Sequence, residues 1–547
     1  MTTHHFTIET TDYKSNNCNI EIFEEPDKCK VALGVLFSHR HKLEGKFHDL
    51  LKNQDDEPLL IYPFLVADSK DLKKVEYNED RYIMKMNCNG EGNAYKYSME
   101  TGCLMGFISA TFTDETSGND YHFNIYIHSR FDWKKSNPTI HYDGTDEKWE
   151  DKETASLGRD FFLHYMLQKV LNINVVREPS FGEDNSNLEL LLYFFPAMLR
   201  RAMKQGLYRR YERREYNDAR VRGPIDISRH IAKNIPFCGK IAYSTTEFDY
   251  DNSITQLVRH TIEYIAHHDW ASDLLRQSDE TWGDVRLIRE LTADGYDPNA
   301  RQRIIQSNLR LISHPFYTEW RPLQHLCLAI LRYDDLRHDR ANDEDRIHGL
   351  LFDGPWLWEN YLWEVFQENN LGFKHPDNTT AKDGVWDGRT KRYPDFYLPI
   401  EINSENTTAR EIWDGKFKPR YEKGCIDSPD RLQLMGYMYI MGNRNREIID
   451  DNGENSTLKF KKYNCYLCET AGIVSPIPSD SCEPLWGYGI PKRNNNNMEL
   501  PGLGGHLYKW HLKIASNHED FILFGEEMKI REQEFIKQYL KELHAEK

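Results

Sequence analysis

The spacing of hydrophobic and polar positions changes twice along the chain. Between residues 1 and 154, short apolar or alternating runs at 30–37, 59–66, 82–86 and 121–128 are separated by turns rich in Asn, Asp and Gly. That pattern predicts β-strands. From 155 to 348 the apolar positions recur every three or four residues over long segments at 158–171, 187–205, 254–277 and 322–333, which predicts helices. From 349 to 547 the pattern is mixed: a Trp-rich helix at 356–366, two strands around Asp395 and Asp414, a helix near Gln433, further strands, and a closing helix from Glu526. The expected fold class is multidomain α+β: a β-rich N-terminal domain (1–154), a helical middle domain (155–348) and an α/β C-terminal domain (349–547). A chain of 547 residues has room for two or three such cores.

Composition narrows the function classes. Hydrophobic residues at 39% and aromatics at 13% exclude a largely disordered chain. A formal net charge of -17 excludes one that coats nucleic acid by bulk attraction, because that requires clustered Lys and Arg. Any DNA contact must be local. One basic stretch holds Arg200, Arg201, Lys204, Arg209, Arg210, Arg213, Arg214, Arg220 and Arg222. It reads equally as a solvated helix face or as a surface for phosphate or a partner, with Arg209, Arg210, Arg213, Arg214 and Arg222 the candidate contacts. The start MTTHHFTIET lacks a basic and then apolar leader, and no run of about 18 apolar residues occurs, so a cytoplasmic protein with no membrane contact is expected. Ten scattered Cys read as free thiols.

The chemistry concentrates in the last third. In Lys391-Arg392-Tyr393-Pro394-Asp395-Phe396-Tyr397-Leu398 a period of two sets Asp395 opposite Phe396 and Leu398. In Glu411-Ile412-Trp413-Asp414-Gly415-Lys416-Phe417-Lys418 the same period sends Trp413 and Phe417 one way and Asp414, Lys416 and Lys418 the other. Two carboxylates on neighbouring strands can hold Mg²⁺, with Mn²⁺ as a substitute, and Gly415 leaves its carbonyl accessible to the metal. Lys416 would orient the attacking water and neutralise charge in the transition state. On the Trp-rich helix, Glu359 aligns with Trp356, Leu362, Trp363 and Phe366, so a charge lies in the apolar stripe and needs a compensating partner. Glu364 reads as a surface acid. Gln433 and Tyr437, at i and i+4, can present an amide and a phenol to the site or to DNA.

Each fragment alone is a common turn, salt bridge or helix face; their order is more demanding. The set resembles the PD-(D/E)xK restriction-endonuclease-like nucleases with a following Gln-x-x-x-Tyr helix, and within them the McrC-like subunits of McrBC and LlaJI-type restriction systems. Val221-Arg222-Gly223-Pro224-Ile225-Asp226 is similar to that family's Arg-Gly-x-Ile-Asp segment, Asp249-Tyr250-Asp251-Asn252 to its Asp-x-x-Asn segment, and Leu357-Trp358-Glu359 to its Leu-Phe-Glu helix. The resemblance implies an Mg²⁺-dependent endonuclease subunit for anti-phage defence, with Asp395, Asp414, Lys416 and Glu359 catalytic and Glu359 joining Asp395, Asp414 and Gly415 around the metal. It also implies a separate McrB-like AAA+ GTPase ring as partner, and more than one copy in the active assembly. No Gly-x-x-x-x-Gly-Lys-Ser/Thr motif occurs, which fits that division.

Two other classes compete: a non-catalytic scaffold that activates an AAA+ GTPase, disfavoured by intact Asp395, Asp414 and Lys416, and a stand-alone RecB-like repair nuclease, disfavoured by the Arg-Gly-x-Ile-Asp segment. The polar stretch 403–408 reads as an extended hairpin loop. Cys465 and Cys468 with Cys482 and His506 or His511 could be drawn as a zinc site, but a strand is the simpler reading. His39, His41, His48, His267 and His268 read as surface or capping residues, and 332–346 as a solvated linker.

Overall fold

The computed structural model describes residues 2–14, 19–22, 25–44, 59–62, 82–89, 96–114, 116–132, 137–145, 160–171, 186–268, 271–338, 347–376, 385–386, 391–392, 394–403, 406–419, 426–443, 468, 470–488, 506–516 and 520–544. It divides into two compact units. One joins residues 1–63, 75–172 and 347–547; the other holds 64–74 and 173–346.

The first unit contains two large sheets. In the seven-stranded sheet the spatial order is Glu21–Ile22, Thr139–Thr145, Thr3–Thr11, Asp120–His128, Leu104–Thr113, Ile347–Asp353, Leu59–Tyr62. Ile347–Asp353 runs antiparallel to Leu104–Thr113 and parallel to Leu59–Tyr62. A strand from beyond the middle region thus completes the N-terminal sheet, which is why the two ends of the chain form one unit rather than separate domains. Close approach at this seam requires Gly106, whose φ is +129°; a Cβ there would lie 2.2 Å from the Leu350 carbonyl oxygen.

The residues 30–37, read as strand text, are helical: Pro26–Ser38 is an α-helix with Pro in its first turn. Cys29, Ala32, Leu33 and Leu36 are its buried stripe, a spacing of three and four that a short run hides. The Phe161–Val170 helix, grouped by sequence with the middle region, packs in this first unit against the Gly354–Glu368 helix.

The second sheet has five strands in the order Phe396–Asn403, Asn406–Gly415, Thr470–Ile477, His506–Lys513, Trp486–Tyr488. The outer pairs are antiparallel and the two central pairings parallel. The expected long loop at 403–408 is largely strand, since Asn403 already pairs with Asn406. The Ser428–Asn443 helix packs on this sheet through Leu434, Tyr437, Met438 and Met441, meeting Tyr397, Ile412, Ile473 and Leu507. The closing helix starts earlier than expected, at Phe521. From its far end Tyr539 donates 2.7 Å to Glu411 in the second strand.

Among its described residues the second unit is helical, with one two-stranded antiparallel sheet of Arg210–Asp218 and Ile241–Asp249. These strands are mostly charged and polar, so no apolar period announces them. Their pairing is held by register and by cross-strand contacts such as stacked Tyr216 and Tyr243, ring centroids 5.5 Å apart.

Candidate active site

The strand pair Phe396–Asn403 and Asn406–Gly415 aligns Phe396 with Trp413, so Asp395, one residue before the first strand, meets the end of the second. Both faces of this pair are covered: Phe396, Tyr397, Ile412 and Trp413 are all buried. Asp395 Oδ2 accepts the backbone N–H of Gly415 at 2.7 Å, and the carboxyls of Asp395 and Asp414 hydrogen-bond each other. Lys416 follows as the strand ends. Its backbone N–H donates 2.9 Å to Val474 O, and its ammonium lies 2.6 Å from Asp414 Oδ2. Acid and amine share one side, as the alternation predicts.

Electrostatics divide the two acids. Burial, then the charges of Asp414 and Glu359, push the Asp395 carboxyl well above its ordinary range. Burial acts the same way on Asp414, but the Lys416 ammonium and the hydrogen bond from Asp395 outweigh it and hold Asp414 below the usual value. Burial also works against the charge of Lys416, while Asp414, Asp395 and Asp430 keep it protonated and above its usual value. The pair is thus split in acidity, Asp395 favouring its proton and Asp414 its charge, as expected for two carboxylates forced together.

Glu359 lies at the margin of the apolar stripe rather than inside it. The buried face of the Gly354–Glu368 helix is Leu357, Trp358, Tyr361, Leu362, Val365 and Phe366, and Trp358 donates 3.1 Å to Val474 O beside the lysine's own anchor. Glu359 is 28% exposed, and His375 Nε2 lies 3.6 Å from its Oε1. Its influence on Asp395 is through charge. Among the described residues no three His, Cys, Asp or Glu side chains are gathered as a ready metal-holding set. Glu364, read as a surface acid, is half-buried, and burial followed by the Glu368 charge raises its pKa.

Gln433 and Tyr437 do form a pair, Nε2 donating to the phenol oxygen at 3.1 Å. Burial pushes the Tyr437 phenol up to about 12, and the charges of Asp414 and Asp395 reinforce it; the helix thus delivers Tyr437 into the field of both acids. Two residues were missed by the sequence reasoning. Asp430, buried in the first turn of this helix, lies 3.9 Å from Lys416 Nζ; an acid one turn before Gln433 was the available signal. His375 had none, because only tertiary pairing brings it to the site.

The donor chemistry suits a hard divalent cation: two carboxyls that cannot both ionise unaided, with a further acid in range. The basic stretch is a strand and loop from Arg209 onward, not a helix face. Arg214 pairs with Asp249, Arg222 lies 3.9 Å from Asp218, and Arg209 covers Tyr250 at 4.6 Å. Arg209, Arg210 and Arg213 are exposed. The zinc reading finds Cys468 in the apolar cluster with Tyr437, Cys482 exposed and His511 buried against Ser475; Cys465 lies outside the described residues.

The fold and site define an α/β protein with a two-carboxylate and lysine centre, buried at Asp414 and half-buried at Asp395 and Lys416, at the end of a strand pair. The family model for the McrBC 5-methylcytosine restriction system component matches residues 107–449. The chain belongs to that family. Among solved structures it is similar to a refined half-complex from a tetradecameric assembly of Thermococcus gammatolerans McrB AAA+ hexamers with bound McrC, at 13% identity and TM-score 0.36, covering 96% of this chain and 99% of that one. It is also similar to a chain of the cryo-EM structure of the Thermococcus gammatolerans McrBC complex, at 14% identity and TM-score 0.26, covering 68% and 89%. No curated protein matches. Among the described residues no helix is long and apolar enough to cross a membrane.

Proposed function

We propose that the chain is the nuclease subunit of an McrBC-type restriction system, working with a separate McrB-like AAA+ GTPase and hydrolysing DNA phosphodiesters at the Asp395, Asp414 and Lys416 centre. The observation that carries this reading is the hydrogen-bonded Asp395–Asp414 pair with the Lys416 ammonium 2.6 Å from Asp414. Family membership supports the partner.

Bound Mg²⁺ would supply Lewis acidity to a phosphate oxygen and lower the pKa of a water. Asp395 and Asp414 would hold it, giving up their shared proton. Lys416, kept charged by three acids, would orient the water for in-line attack and offset the charge that builds on the phosphorus oxygens. Glu359 adds negative field on the helix side. Tyr437, protonated at neutral pH, can donate to the substrate or its water, with Gln433 fixing its orientation.

Cleavage of methylated and unmethylated plasmid by this chain with the neighbouring GTPase, GTP and Mg²⁺ tests the reading. Wild type is expected to cut and Asp414→Ala not to. Equal cutting by the variant would move the active site elsewhere. GTP hydrolysis accelerated without any cutting would favour the scaffold role.

A further inference from the structure

His375 belongs to none of the motifs, yet it stands between the two elements that carry the acids. Its backbone position is fixed by its neighbour: Lys374 N–H donates 2.8 Å to Tyr397 O, and Tyr397 N–H returns a 3.0 Å bond to Lys374 O. The imidazole is held by two aromatic rings, Trp363 at 5.5 Å and Phe396 at 5.4 Å between centroids. Those two rings are themselves parallel to within 7°. Trp363 is one turn beyond Glu359 on the same helix, and Phe396 directly follows Asp395. Packed against both rings, the imidazole has few rotamers open to it.

Its nitrogens reach both sides. Nδ1 is 2.7 Å from the Asp395 carbonyl oxygen. A carbonyl only accepts, so Nδ1 carries the hydrogen. Nε2 faces Glu359 Oε1 at 3.6 Å. We propose that His375 is a positioning residue of the nuclease centre, holding the turn that aims Asp395 beside the helix that carries Glu359, so that the Asp395 carboxyl is oriented for a divalent cation before one binds. The proposal rests on the nuclease reading. Its weight should match that of other groups that orient ligands from behind, whose loss weakens metal binding or activity about 10- to 100-fold.

The test uses the full chain and Mn²⁺ as probe, with binding followed by titration calorimetry and electron paramagnetic resonance. Cleavage kinetics are measured alongside in the presence of the GTPase partner. Wild type, His375→Ala, His375→Asn and Asp414→Ala are compared. His375→Ala is expected to bind Mn²⁺ about 10- to 100-fold more weakly and to lower kcat by a similar factor, leaving KM for DNA unchanged. His375→Asn keeps an amide donor for the Asp395 carbonyl and should recover most of the loss.

Wild-type affinity in His375→Ala would overturn the positioning role. So would a matched fall in affinity and melting temperature that Asn does not relieve, since that is the mark of packing alone; if the Ala variant fails to fold, His375→Phe, which fills the space without a donor, takes its place and is expected to show the same loss of about 10- to 100-fold. A wild type that neither binds Mn²⁺ better than Asp414→Ala nor cuts DNA would bring down the nuclease reading and this inference with it. Binding and cutting by wild type with no change in either variant would remove only the role of His375.

Discussion

Lys416 Nζ lies 2.6 Å from Asp414 Oδ2 and 3.9 Å from Asp430 Oδ1, a single ammonium shared between acids. Removing it leaves the buried Asp414 and half-buried Asp395 without that ammonium, and the pair must then hold its proton more tightly or take in metal more readily. On the nuclease reading, Lys416→Ala should lower single-turnover cleavage by about 100-fold or more, the size of loss seen when one preorganised transition-state donor is deleted. Metal affinity should be retained, because the carboxyls remain. Rapid-quench cleavage together with Mn²⁺ titration checks both; unaltered cutting would show that the lysine has only a structural part.

Gly106 and Leu350 touch across the seam where a strand from beyond the middle region completes the N-terminal sheet. A Cβ on residue 106 would sit 2.2 Å from Leu350 O, and φ of +129° is strained for any L side chain. Gly106→Ala should therefore cost about 2 kcal/mol or more and weaken the pairing of Leu104–Thr113 with Ile347–Asp353 in particular. Hydrogen exchange of the Leu350 and Leu351 amides, with the melting temperature, measures this. Unchanged protection there would mean the seam yields without cost.

Glu532 of the last helix gathers three donors: Tyr361 Oη at 2.5 Å, Tyr165 Oη at 3.1 Å and Lys169 Nζ at 2.5 Å. It is 5% exposed. Its charge, after burial, is what raises both tyrosines. Three helices are joined at this one carboxylate, among them the helix that carries Glu359. Among the described residues, Glu532→Ala would leave the Lys169 ammonium with the exposed Glu368, 2.9 Å away, as its ion-pair partner, and a loss of about 3 kcal/mol is expected. Adding Lys169→Met should return part of it. A double variant no better than the single one would show that the phenols, not the ion pair, carry the cost.

How far the sequence revealed this arrangement depended on the range of each interaction. Asp414 and Lys416 share a face because alternation along one strand is local, and Gln433 and Tyr437 pair because i and i+4 is a helix property. Asp395 meets Asp414 for a reason alternation does not encode: it precedes its strand, and both faces of that strand are buried. Pro26–Ser38 was misread because a short apolar run fits either period, and the Arg210–Asp218 strand was hidden by its charges. The seam at Gly106, the hub at Glu532 and the bridge at His375 all join residues far apart in the chain, and no periodicity encodes such pairings.

Two buried histidines, His164 and His511, act against the stability of the first unit in acid. Burial lowers His164 to about 4, against a smaller opposing effect of Asp160. Burial, then the Lys509 charge, lowers His511 to about 3. The unfolded chain titrates near 6.5, so between that value and the folded one it binds more protons than the native state. Stability is then complete above 6.5 and falls as the pH drops through the window toward about 4 for His164. His128 behaves oppositely: burial disfavours its charge, but Asp160, Glu9 and Asp132 raise its pKa above the ordinary value. Below 6.5 it is protonated in both states and adds no slope. Asp395, raised by burial and Asp414, slopes the other way, so the comparison must be between variants rather than within wild type. Relative to wild type, His164→Phe should gain about 2 kcal/mol on going from pH 7 to pH 5. Melting temperatures of both proteins at the two pH values measure the difference; a variant whose offset from wild type is the same at each would show that His164 is not held neutral by its burial.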